Sequence, residues 1–171
     1  MRTLPEAKDM FRIVDIAGGW FTLMLSSETH AFTVSCSSCA GIDVGKQLLD
    51  LADGLARKRP IRRYICLNGE QCAYRMELSR RDASVMIQVC EITGGPDASL
   101  TAFRFVGATP SALEFAKVKA PVFIGEYGAA EFAKRIHAEF ESIDKEAYER
   151  NWFPFPQAAY DALTEHMKYR A

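Results

Sequence analysis

The hydrophobic pattern of this 171-residue chain changes period along its length, and that change limits what it can fold into. Residues 11–36 read as strands. The run Phe11–Ala17 meets Gly18-Gly19 and continues as Trp20–Ser26, and two glycines between apolar runs signal a hairpin because both accept positive φ. A second turn at Ser27–His30 leads to Ala31–Cys36, where Phe32, Val34 and Cys36 fall on one face. From Asp43 to Lys58 the spacing becomes helical, with Val44, Leu48, Leu51 and Leu55 in register. Asp43 is the expected N-cap, Arg57-Lys58-Arg59 suit the negative end of the helix dipole, and Pro60 stops the helix.

Strands then resume at Arg62–Leu67, turn at Asn68-Gly69 and return as Cys72–Leu78. After a turn at Arg80–Asp82 comes Ser84–Ile92, followed by a loop at Gly94–Asp97. Leu100–Gly107 and Leu113–Phe123 are the last expected strands, the second interrupted by Pro121. The end is helical: Phe132, Ile136, Phe140 and Ile143 stripe a helix from about Glu126 to Ile143, a short helix covers Lys145–Asn151, and a last one covers Gln157–Tyr169. Between these last two, Tyr148 to Pro156 packs four aromatics and two prolines into nine residues, a composition that fixes a corner. The order predicts an α+β fold, an antiparallel β-sheet with an inserted helix and C-terminal helices packed on one face. With no internal repeat or linker, one domain over 1–171 is expected.

A chain of this length buries roughly 70% of its unfolded surface, and its 49% hydrophobic and 25% charged residues suit a globular domain. The net charge of -1 gives no overall field toward nucleic acid or an anionic membrane. No apolar run reaches the roughly 20 residues of a bilayer span, and the charged start lacks a signal-peptide core. These features predict a cytoplasmic location, and the five cysteines are then expected as reduced thiols.

Cys36-Ser-Ser-Cys39 has the spacing of a metal knuckle or redox pair, and Cys66 and Cys72 would complete four ligands. However, Cys66 and Cys72 flank a tight turn rather than forming a second knuckle, so buried structural cysteines are the preferred reading and no cofactor is expected. His30, His137 and His166 are far apart in sequence and none sits beside a nucleophile-bearing turn, so no catalytic residue is assigned. The basic run Arg57–Arg63 is better explained as a helix end and strand start than as a phosphate-binding patch. Its acidic counterpart, Glu139, Glu141, Asp144, Glu146 and Glu149, crowds the corner before Trp152. Such a cluster can steer and hold a basic partner, and it is the candidate partner-binding site.

The strand Trp20-Phe-Thr-Leu, the hairpin return Gly69-Glu-Gln-Cys-Ala-Tyr-Arg75 and the ending Tyr148-x-x-x-Trp152 with Phe155-Pro156 together resemble small bacterial proteins with a β-rich first half and a helical tail. Proteins of that build look like the immunity proteins of bacterial toxin–immunity systems. The resemblance implies a non-enzymatic protein that binds and neutralises a toxin, with a basic toxin domain as partner. It transfers no catalytic residue. The alternatives are a module using Cys36, Cys39, Cys66 and Cys72 for a metal or small ligand, and an enzyme whose site the sequence does not reveal.

Overall fold

Gly18 and Gly19 take φ of +57° and +85°, the conformation a two-residue hairpin turn requires. They join β1 (Phe11–Ala17) to β2 (Trp20–Ser26), and β3 (Ala31–Ser37) completes a three-stranded antiparallel sheet in the order β1-β2-β3. A second antiparallel sheet contains β4 (Arg62–Asn68), β5 (Ala73–Arg81), β6 (Ser84–Gly94) and β7 (Lys117–Gly128), in chain order. The structure is a computed structural model that describes residues 10–58, 60–94 and 109–168. The expected strand Leu100–Gly107 lies outside the described residues.

The α+β class is as expected, with the strands divided over two sheets rather than one. The division follows from α1 (Val44–Ala56), which is inserted between β3 and β4. Asp43 accepts a hydrogen bond from the Lys46 amide at 3.1 Å and starts this helix as its cap. Phe32 joins the sheets, its ring centroid 5.2 Å from Tyr74 and 6.4 Å from Phe123. The Tyr127 hydroxyl adds a polar tie, donating to the Ser26 carbonyl at 2.7 Å.

Residues 113–128 depart from the sequence reading. A single turn of helix, α2 (Pro110–Glu114), capped by Thr109, occupies the start of the expected strand Leu113–Phe123. Strand β7 then runs to Gly128, because Phe123, Gly125 and Tyr127 alternate inward at period two through the segment expected to begin a helix at Glu126. The pairing with β6 slips beside Pro121, which has no N–H for a regular ladder.

Helix α3 (Ala129–Glu141) follows directly and buries Phe132, Ala133, Ile136 and Phe140. Phe132 meets Phe11 edge-on at 6.0 Å and stacks on Tyr127 at 5.3 Å, so one side chain touches both sheets. Short α4 (Lys145–Asn151) and terminal α5 (Gln157–Lys168) enclose the aromatic corner. There Tyr148 lies 5.3 Å from Phe155, Phe21 lies 5.5 Å from Trp152, and Lys145 sits 4.7 Å over the Phe155 ring. One contiguous apolar core runs through both sheets and α1, α3 and α5. Among the described residues, no helix is long and apolar enough to cross a membrane.

Candidate interaction surface

The acidic corner is held by three of its own carboxylates. Glu139 accepts from the Ile13 amide at 2.7 Å and is paired with Arg135, whose Nε donates to the Phe11 carbonyl at 2.9 Å. That pair fixes α3 to β1 just before the bulge at Val14. Asp144 caps α4, accepting from the amides of Glu146 and Ala147 at 3.0 and 3.2 Å. Glu149 accepts from the Phe155 amide at 3.2 Å and so sets the chain direction between the prolines. Glu141 and Glu146 are exposed, and neither carboxylate has a hydrogen-bond or ion-pair partner among the described residues. The five acids expected to act together thus divide into three whose carboxylates build the corner, of which Asp144 and Glu149 are still exposed, and two whose carboxylates are uncommitted.

The β1–β2 hairpin docks against the far end of α4. The Gly18 amide donates to Asn151 Oδ1 at 3.1 Å and the Gly19 amide to the Asn151 carbonyl at 2.9 Å. Trp20 follows this turn and is 37% exposed, and Val14 on the β1 bulge is 53% exposed. On β2, Phe21, Leu23 and Leu25 are buried, which sends Trp20, Thr22 and Met24 to the outer face of the three-stranded sheet. Thr22 and Ser35 bridge that face through their hydroxyls at 2.8 Å. Five residues of α4, about 8 Å along its axis, separate Glu146 from this hairpin contact. An exposed indole therefore borders the acidic corner. The period-two alternation in Trp20–Leu25 carried this signal, but which face the helices would cover was not legible in it.

The cysteines do not form the set their spacing suggests. Cys36, Cys66 and Cys90 are buried, Cys72 is half-buried and Cys39 is exposed, all as free thiols. Burial, reinforced by Cys66 and Cys72 nearby, holds the Cys36 thiol far above its usual range, and burial pushes Cys66 up to about 12. Both are therefore neutral and unreactive at physiological pH. Cys39 lies in a short 3-10 turn (Ser38–Ala40) capped by Ser37, whose hydroxyl donates to Glu70. That turn ends before Asp43, so Cys39 does not open α1 as a redox motif would. Among the described residues, no group of three or more His, Cys, Asp or Glu has metal-holding geometry.

The histidines have local partners. His137 stacks on Tyr160 at 5.0 Å with Nε2 2.8 Å from the Thr164 hydroxyl, and burial lowers its pKa, partly opposed by Glu141. His30 bonds Thr29 at 2.7 Å, and His166 Nδ1 donates to the Ala162 carbonyl and lies 2.7 Å from Asp53. In the basic run, Arg57 pairs with Asp53 and Arg62 with Glu77, both at 2.8 Å, and Arg62 also lies over Tyr64 at 5.5 Å. Arg57, Arg62 and Arg63 line one surface depression, where Asp50 and Asp53 interleave with them. No family model, no curated protein sequence and no solved structure matches the chain, so its function has to be read from these residues alone.

Proposed function

We propose that the protein works by binding another protein through the acidic corner and the adjoining Trp20 face, and that its specific form is an immunity protein which occludes a basic toxin domain. The supporting observation is the division of labour at the corner. Glu139, Asp144 and Glu149 hold α3, α4 and the Phe155 segment in place, so Glu141 and Glu146 stand on a frame that does not have to be ordered on binding. Preorganised charge speeds encounter and reduces the entropic cost of association, while a partly exposed indole is the side-chain type that most often anchors an interface. Binding of this kind requires complementary shape and charge and no reactive group.

The test is titration calorimetry of the purified protein, at two salt concentrations, against any basic toxin domain found encoded next to it. One-to-one binding is expected, weakened by salt, by Glu141→Lys with Glu146→Lys, and by Trp20→Ala. Binding that ignores both the charge reversals and the salt would remove the acidic corner from the interface. Failure to bind any such domain would remove the immunity reading.

A further inference from the structure

We propose that a groove on the side of the helical layer binds a small organic anion, one with an acidic head group and an apolar body. The groove has a volume of about 620 Å³ and lies among the ends of α1 and α5, the start of α3 and the β5–β6 turn. That size falls within the range of roughly 300–1,000 Å³ found for small-molecule sites. Among the described residues its polar walls are Lys58, Arg80, Lys134 and His166, and no carboxylate among them lines it directly, Asp53 and Glu131 standing behind His166 and Lys134. Leu55 and Met167 supply apolar surface, while Ala83 and Ala130 leave the entrance wide.

The cations differ in how far the fold uses them. Arg80 is anchored: Nη1 donates to the Leu55 carbonyl at 2.7 Å and Nε to the Asp82 carbonyl at 2.8 Å, which leaves Nη2 as its remaining donor group. Among the described residues, Lys134 meets only the exposed Glu131, at 3.2 Å, a contact that a bound anion can replace at little cost. Lys58 is exposed, its ammonium has no hydrogen-bond or ion-pair partner among the described residues, and its backbone is held at φ +54°, a conformation that non-glycine residues rarely occupy. His166 commits Nδ1 to Ala162 and the neighbouring Asp53, so Nε2 is the nitrogen left to meet a ligand. An inorganic ion would satisfy the charges but leave the Leu55 and Met167 surface wet. A neutral apolar molecule would leave the Lys58 and Lys134 ammonium groups and Arg80 Nη2 without a ligand acceptor. Only a molecule with both parts matches the groove, and this site is separate from the acidic corner, so its test stands apart from the toxin-binding reading.

Four probes test the proposal by titration calorimetry: decanoate, decyl phosphate, decanol and inorganic phosphate. Saturable one-to-one binding of decanoate or decyl phosphate is expected, with the tighter of the two identifying the head group. Lys58→Ala with Lys134→Ala removes two cations and should weaken it by about tenfold or more, the equivalent of at least one charge-assisted contact, and Ala130→Trp should obstruct the entrance and abolish it. All three positions are exposed, and circular dichroism checks that the variants fold. The proposal is overturned if neither amphiphile saturates, if binding survives both variants, or if decanol or inorganic phosphate binds as tightly as the amphiphiles.

Discussion

Replacing Asp43 by alanine should cost far more than the loss of a helix cap. One oxygen, Asp43 Oδ1, accepts from the Lys46 amide at 3.1 Å, from the Trp152 indole at 3.2 Å and from the Tyr148 hydroxyl at 3.4 Å. The cap alone contributes about 1 kcal/mol. Trp152 is 9% and Tyr148 1% exposed, so water does not easily replace the lost acceptor. An orphaned buried donor costs about 1–3 kcal/mol, with the indole the larger contributor because the phenol bond is long. Together these give a loss of about 3 kcal/mol, or about 6–12 °C in Tm for a chain of this size. Asp43→Asn keeps an acceptor and should lose less than about 1 kcal/mol. Urea denaturation of Asp43→Ala, Trp152→Phe and the double variant measures the shared part, expected as a coupling of at least about 1 kcal/mol. A cost near 1 kcal/mol for Asp43→Ala with additive behaviour in the double variant would mean that Asp43 only caps α1. The claim that it ties that helix to the C-terminal corner would then fail.

Other outcomes follow from the same contacts. Glu139→Ala should lower stability by about 1.5–3 kcal/mol because its hydrogen bonds join α3 to β1, whereas Glu141→Lys with Glu146→Lys should leave the melting temperature within about 1 °C. Equal effects in thermal melts would contradict the division of the acidic corner. Stability under reducing conditions should fall as pH rises above about 9. Burial keeps Cys36 and Cys66 neutral in the folded state while the unfolded thiols ionise from 9.0, so the stabilisation is complete below that pH and declines up to about 12 for Cys66. The slope should approach about 1.4 kcal/mol per pH unit for each thiol, and urea melts between pH 8 and 10 should show a flatter slope in Cys36→Ala with Cys66→Ala. In the native protein a thiol-specific reagent should label Cys39 fastest and Cys72 more slowly, and should reach Cys36, Cys66 and Cys90 only on unfolding, which mass spectrometry of the labelled peptides can check.

Local signals decided most of the elements. Alternation in Phe11–Ser26 with two glycines at the turn, helical spacing over Asp43–Lys58 and the aromatic stripe Phe132–Phe140 each reported a period that the backbone must follow. The α+β class was legible because these periods occur in separate blocks. Residues 113–128 were not, because Pro110–Glu114 makes one isolated helical turn and Tyr127 continues a strand up to the residue before α3. Where a strand stops and a helix starts was set there by the fit of Phe123 and Tyr127 against Phe32 and Phe132.

Composition alone placed five carboxylates near one corner, and it could not rank them. Their roles depend on backbone amides that arrive from distant parts of the chain. The Ile13 amide meets Glu139 across 126 residues, while Glu141, two residues further on, has no such visitor. The cysteines show the same limit, since Cys36 and Cys39 share a motif yet one is buried against the second sheet and the other faces water. The groove bounded by Lys58, Arg80, Lys134 and His166 leaves no trace in the sequence at all, because four separate segments contribute one basic side chain each. Sequence determined the period, caps and turns of this protein, which depend on neighbours along the chain. Tertiary structure decided which charges hold the fold and which stay uncommitted at the surface, because that depends on neighbours in space.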